Sequence, residues 1–253
     1  MKSFLAGCGA AVLVLVLAVV VLLVWGFRKG AQEQEQFFAA VYSGDMAQLT
    51  ALFDPALTAE VDEPLLAAWA KAMKERLGAP KGLSARDFST NTRYEGGATI
   101  TESSGKVTFE QGEAQSELVL RNGKIIQFNV KSDQLVDWLT DLEDTRLYED
   151  KGRDCLELIM TGKANEAHAM MHENLQEALS LEALTNFANE TLPETGSLRS
   201  ITLDSKDFEA GDSPTLELAY TIGCENKTMK ATIRFEFVGL KGHLVAVNIA
   251  PSD

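Results

Sequence analysis

Two stretches, VDEPLLAAWAKAMKERLG at 61–78 and LSLEALTNFANETLPETG at 179–196, decide how this chain is read. They lie 118 residues apart and carry the same helix-boundary signals. Asp62 and Ser180 stand where an N-cap is wanted, because their side-chain oxygens can accept from the unpaired amides of the first turn. Val61 and Leu179 precede the caps, and Leu66 and Leu184 come four residues after them, which is the spacing of a hydrophobic staple. Pro64 falls in the first turn, where a missing N–H costs nothing. Trp69 and Phe187 share a position, and Gly78 and Gly196 close the helix.

Working outward at the same offset, Phe37–Leu83 lies on Cys155–Ile201 without a gap. Six of these 47 positions are identical, namely Gly44/Gly162, Ala51/Ala169, Leu57/Leu175, Leu66/Leu184, Ala70/Ala188 and Gly78/Gly196. Identity at that level is weak, so the recurrence of helix-boundary features carries the argument. Gly44 and Gly162 each follow an apolar helical stretch, where a left-handed residue ends a helix.

Beyond each helical part the hydrophobic period changes from 3.6 to 2. Ile126, Phe128 and Val130 alternate with Ile125, Gln127 and Asn129 after the turn Arg121-Asn122-Gly123-Lys124. In the second copy Val245, Val247 and Ile249 alternate with Leu244, Ala246 and Asn248 after Leu240-Lys241-Gly242. Upstream, Leu216, Leu218, Tyr220, Ile222 and Cys224 mark one strand face, and Ile233, Phe235 and Phe237 mark another. The fold class is therefore α+β. Each module has three helices packed on a curved antiparallel sheet, with module 1 at 31–131 and module 2 at 146–253. Between them, 132–145 is expected to be a linker helix, capped by Ser132, with Leu135, Trp138, Leu139 and Leu142 on one stripe.

Ahead of both modules, Ser3 to Phe27 holds 25 residues without a charge, and Ala11 to Trp25 is almost wholly Ala, Val and Leu. About 20 residues suffice to cross a hydrocarbon core, and in lipid such a run must be helical. Trp25 and Phe27 suit the interface, and Arg28 and Lys29 end the span. A cleaved signal peptide would be shorter and end in small residues. Leu5-Ala6-Gly7-Cys8 has the letters of a lipoprotein box, but its apolar stretch follows the cysteine. Residues 1–30 thus read as a transmembrane signal anchor of a single-pass protein of the cell membrane. The C-terminal bulk is expected outside the cytoplasm.

The formal charge is −14. Setting aside Lys2, Arg28 and Lys29 leaves −17 from Gly30 onward. That field repels phosphate backbones, so nucleic acid is excluded as a partner. Three cysteines make no disulfide framework. Cys155 and Cys224 are the pair left for a bridge, and two separate buried thiols are the commoner arrangement.

The element order resembles the NTF2-like superfamily, and most closely its small bacterial domains of unknown function. The residues that carry the likeness are Phe38 to Tyr42 with Ser43-Gly44-Asp45, the Leu49/Leu52/Phe53 turn, and Leu65-Leu66 with Trp69. Val107 to Gly112, Asn122 to Ile126, and Tyr220 to Asn226 look like that group's late strands. The likeness covers about 32–131 and 146–250. It implies a sheet wrapped round a long helix as a cone, often with an apolar cavity at the open end. Members include isomerases, dehydratases, hydrolases and many binding domains, so fold does not carry function.

Enzymes of that superfamily place an Asp or Tyr of shifted pKa, or an Asp–Arg–Asp relay, inside the cone. No such set falls on inward positions here, and Glu117, Gln127, Glu217 and Glu236 fall on the alternate face. Trp69, Tyr94, Phe187 and Tyr220 are the candidate pocket residues, with ordinary core packing as the plainer reading of large aromatics. His168 and His172 are spaced i, i+4, as two ligands of one metal can be. A solvated pair is the plainer reading, so no metal and no cofactor is expected. His243, in a hairpin turn, is expected to be exposed. Asn189-Glu190-Thr191 and Asn226-Lys227-Thr228 match the glycosylation sequon, which means little without a eukaryotic secretory route.

These features point first to a membrane-anchored, non-catalytic binding or scaffold protein. Its partners would be the membrane, through the N-terminal helix, and a protein, peptide or small apolar ligand; a homo-oligomer is compatible with this. One alternative is an enzyme acting on a small hydrophobic substrate in one cone, and another is a purely structural spacer or dimerisation protein.

Overall fold

The computed structural model describes residues 30–84, 87–211 and 213–252. The apolar segment Ser3–Phe27, read above as a membrane anchor, lies outside the described residues. Among those described, no helix is long and apolar enough to cross a membrane.

The chain is α+β with two antiparallel sheets and divides into two compact units. Of the described residues, 30–60 and 70–136 make the first unit, and 61–69 and 137–252 the second. Helices α1 (30–43), α2 (Met46–Thr50), α3 (Pro55–Ala59) and α4 (Glu63–Leu77) come first, and residues 63–69 of α4 count with the second unit. Strands β1 (Pro80–Leu83), β2 (Ser89–Glu95), β3 (Ala98–Phe109), β4 (Glu113–Arg121) and β5 (Lys124–Lys131) follow. The sheet order is β1-β3-β4-β5, with β2 also paired to β3. In the second unit α5 (Arg146–Met160), α6 (Ala164–Ala169), α7 (Glu173–Ala178) and α8 (Leu181–Thr195) precede β6 (Leu198–Glu209), β7 (Thr215–Cys224), β8 (Thr228–Val238) and β9 (Lys241–Pro251), ordered β6-β7-β8-β9.

The same local solutions recur in both halves. Gly44 and Gly162 have φ of 79° and 75°, and Gly78 and Gly196 have 69° and 75°, all in the left-handed region that glycine enters without penalty. After the long helix, the amides of Gln111 and Glu110 donate to the carbonyls of Leu77 and Ala79. Those of Asn226 and Glu225 donate to Thr195 and Ser197 in the same way. The amide of Asp54 donates to the Ile125 carbonyl at 2.8 Å, and that of His172 to the Leu244 carbonyl at 2.9 Å.

Three expectations are refined. Among the described residues each copy holds four helices instead of three. The middle stretch breaks because Asp54 and His172, both extended, cap a new short helix; Asp54 accepts from the Ala56 amide at 3.0 Å. The span 132–145 holds two 3-10 turns, Asp133–Leu135 and Trp138–Asp141, in place of one helix. Its sequence sets Asp133, Asp137, Asp141 and Asp144, whose polar groups compete with the ladder, among the β-branched Val136 and Thr140, so helix propensity is low. The Thr140 hydroxyl donates back to the Asp137 carbonyl at 2.8 Å. The third refinement concerns strand phase. Ile126 is an extra residue between the β4–β5 pairs Gln127–Val119 and Ile125–Leu120, and Val245 is one between Ala246–Arg234 and Leu244–Phe235. These bulges turn Ile125 and Leu244 into the core, 2% and 4% exposed, against the simple alternation.

The first core is aromatic. Phe37 packs on Phe38 and Phe128, and Phe109 on Phe38 and Tyr42, with ring centroids 5.3–6.2 Å apart. It also contains polar residues. Gln34, fully buried, donates to the Ser103 carbonyl and hydroxyl and accepts from the Ser116 hydroxyl at 2.7 Å. The second core gathers Tyr148, Leu156, Ile159, Leu218, Tyr220, Ile222, Ile233 and Phe235, with Cys155 and Cys224 buried among them as free thiols.

Candidate functional site

Both candidate sites belong to the second unit. The first is a pocket of about 130 Å³ lined by Ile159 of α5, Leu179, Leu184 and Phe187 of the α7–α8 region, and Val247, Asn248 and Ile249 of β9. The sequence builds it locally. Ser180 is extended and caps α8 by accepting from the Ala183 amide at 3.2 Å, which places Leu184 and Phe187 on one side of the helix. Leu184 is 3% exposed, and Phe187 packs against the core from its rim. Val247 and Ile249 come from the strand at the sheet edge. Six of the seven described lining side chains are hydrocarbon, so the pocket offers dispersion contacts and one amide, that of Asn248. A dry cavity of about 150 Å³ lined by aliphatic and aromatic side chains can hold a benzene ring. The space here is comparable in volume but opens to solvent, with Leu179, Phe187, Val247 and Ile249 partly buried and Asn248 exposed, and it has room for one aromatic ring or one branched aliphatic group.

Of the four aromatic residues singled out in the sequence, Phe187 lines this pocket. Trp69 and Tyr220 are buried, at 5% and 0% exposure, and Tyr94 on β2 is 76% exposed. Tyr220 is not among the described residues that line the pocket. The Tyr220 hydroxyl donates to the Glu149 carbonyl at 2.9 Å, and its ring lies against Gly152, where a Cβ would meet the phenol oxygen. Burial pushes the Tyr220 phenol above its ordinary range.

The second site is an open cleft of about 550 Å³ at the start of β9. Lys151, Met170, Met171, His172, Glu173, Phe235 and Lys241–Leu244 line it. One wall is fixed by Asp62, whose carboxylate accepts from Tyr148 Oη at 3.1 Å, the Gly242 amide at 2.9 Å and Lys151 Nζ at 3.3 Å. The Asp62 amide donates to the Leu240 carbonyl at 2.8 Å, so one residue ties the start of α4 to α5 and the β8–β9 hairpin. Burial, with the Asp62 carboxylate beside it, drives the Tyr148 phenol well above its ordinary range. Gly242 is required there, because a Cβ would run into the Tyr148 and Phe237 rings. Asp62 stands at a cap position in the sequence, but its link to Tyr148 spans 86 residues and leaves no local signal.

The histidines fall differently from the i, i+4 reading. Helix α6 ends at Ala169, and His172 is the extended N-cap of α7, its Nδ1 accepting from the Asn174 amide at 3.4 Å. His168 contacts the Gln176 carbonyl through Nε2 at 3.4 Å. His172 instead meets His243, with ring centroids 4.9 Å apart and planes at 78°. His243 sits within β9, opposite Glu236, and is partly buried. Among the described residues, no three of His, Cys, Asp and Glu gather as a metal cluster.

The Thr145 hydroxyl, with Lys206, holds Glu149 below the usual carboxylate range. Burial pushes the Cys155 thiol up to about 12, which keeps it protonated and unreactive at neutral pH.

No protein-family model matches the chain, no curated protein matches it, and no solved structure matches it.

Proposed function

We propose that this chain is a membrane-tethered, non-catalytic binding protein built from two NTF2-like modules, the second of which takes an apolar group into the α5–α8–β9 pocket. The observation that carries the reading is that pocket: about 130 Å³, lined by Ile159, Leu179, Leu184, Phe187, Val247 and Ile249, with Asn248 as its polar group. Such a lining can hold a hydrocarbon group but offers no acid, base or nucleophile to work on it. The repeated order of helices followed by an antiparallel sheet supports the NTF2-like assignment. The uncharged run Ser3–Phe27 supports the tether. Apolar burial and a single amide suit recognition of one aromatic or branched side chain, or of a small hydrocarbon ligand.

The test is a thermal shift of the full chain in detergent micelles with toluene as the probe. Wild type is expected to gain stability as toluene rises, and Val247→Phe, which fills the pocket, to lose that response in the same micelles. Equal responses in the two proteins would end the reading.

A further inference from the structure

We propose that His172 and His243, with the Met170 thioether, form a binding site for monovalent copper in the cleft at the start of β9. The donors come from two elements. His172 caps α7, His243 lies on β9, and the pair is held in register by the His172 amide, which donates to the Leu244 carbonyl at 2.9 Å. With metal–nitrogen bonds of about 2.0 Å, two imidazoles on one trigonal or tetrahedral ion place their ring centres roughly 5 Å apart. The two rings pack edge to face, 4.9 Å apart with planes at 78°, which brings them within reach of that geometry. Met170 lines the same cleft.

The donor set decides the metal. Zinc sites take four ligands from Cys, His and carboxylates, and no three such residues gather among those described. Imidazole suits copper as well as zinc, and the thioether is the soft donor that favours Cu(I). The cationic groups of the cleft limit the charge an ion held there can carry. Lys151 and Lys241 also line it, and they oppose a divalent ion more than a monovalent one. Lys151 is partly neutralised by Asp62 at 3.3 Å, Glu173 adds a negative charge, and the chain as a whole carries −14. At His172 the proton is accounted for. His172 accepts through Nδ1 from the Asn174 amide at 3.4 Å, a long bond. Binding through Nε2 shifts that ring's proton to Nδ1 and gives up the bond; binding through Nδ1 replaces it.

The test is an anaerobic titration of the full chain in detergent with Cu(I), in competition with the coloured chelator bicinchoninate. A single equivalent should bind. His172→Asn, which keeps a capping side chain, and His243→Gln should each weaken it by more than about tenfold, the scale that even outer-shell metal partners carry. Met170→Leu, close in volume, should remove the sulfur shell from the copper X-ray absorption spectrum while leaving the nitrogen shell. Copper held equally well by the His172→Asn/His243→Gln double variant would overturn the site. Zn²⁺ binding at least as tight, with the same histidine dependence, would overturn the assignment to Cu(I), and so would a spectrum without sulfur in wild type.

Discussion

Replacing Asp62 by Ala tests how the second unit is held together. The carboxylate is 13% exposed and accepts from the fully buried Tyr148, from the Gly242 amide and from Lys151. Without it, Tyr148 Oη and the Gly242 amide lose their acceptor, and each buried orphan costs about 1–3 kcal/mol. The Lys151 contact adds little, because that side chain is 36% exposed and solvent screens the pair. The sum is about 3 kcal/mol, a large share of the 5–15 kcal/mol typical of a domain. Tyr148→Phe removes one donor and should cost about 1 kcal/mol. The Asp62→Ala/Tyr148→Phe double variant should be less destabilised than the sum of the singles, since the phenol is no longer orphaned. Cys155 and Cys224 are buried in this unit and make a local reporter. In a C8S background, their labelling under native conditions follows opening of the second unit. Asp62→Ala should speed it roughly a hundredfold, since about 1.4 kcal/mol is tenfold. A change of less than about threefold would refute the argument.

Four further outcomes follow from the geometry. Gly242→Ala drives a methyl into the Tyr148 and Phe237 rings and should cost about 1–3 kcal/mol in chemical denaturation. Gln34→Leu strands the Ser116 hydroxyl and should destabilise the first unit by about 1–3 kcal/mol, where a simple hydrophobic reading expects a gain. Leu156→Ala opens a cavity in the second core at about 2–5 kcal/mol, measured by the same thiol labelling. Stability should fall as pH rises from 10 through 12. Burial and the nearby Glu110 raise the Tyr42 phenol from its ordinary 10 to about 12, so the folded state holds a proton the unfolded chain releases. Tyr148 and Tyr220 are shifted the same way, and tyrosinate absorbance at alkaline pH should lag behind that of the unfolded protein.

What was legible in the sequence was whatever local chemistry specifies. Gly44, Gly78, Gly162 and Gly196 take the left-handed conformations their positions imply, and Ser180 caps α8 through its hydroxyl. The α+β class followed from the change of period, and the inward faces of β7 and β8 matched their apolar residues. The bulges at Ile126 and Val245 were hidden, because an extra residue changes strand phase without changing composition. The polar interior of the first unit is silent in the sequence for another reason. Thr101, Ser103 and Gly105 continue the inward parity of Val107 and Phe109, but small polar residues do not announce a core. Asp62 with Tyr148, and His172 with His243, are long-range pairs, and each partner had a sufficient local reading as cap or turn. Of the pocket, Phe187 was legible from helix spacing. Val247 and Ile249 read as strand residues, but that strand's place at the sheet edge is set by the topology.

The binding of an apolar group by the second unit is tested most directly by anomalous diffraction from crystals of the full chain under xenon pressure. The account predicts xenon between Ile159, Leu184, Phe187 and Val247, and loss of that peak in Val247→Phe. A pocket that stays empty at pressures where xenon occupies other sites would contradict it.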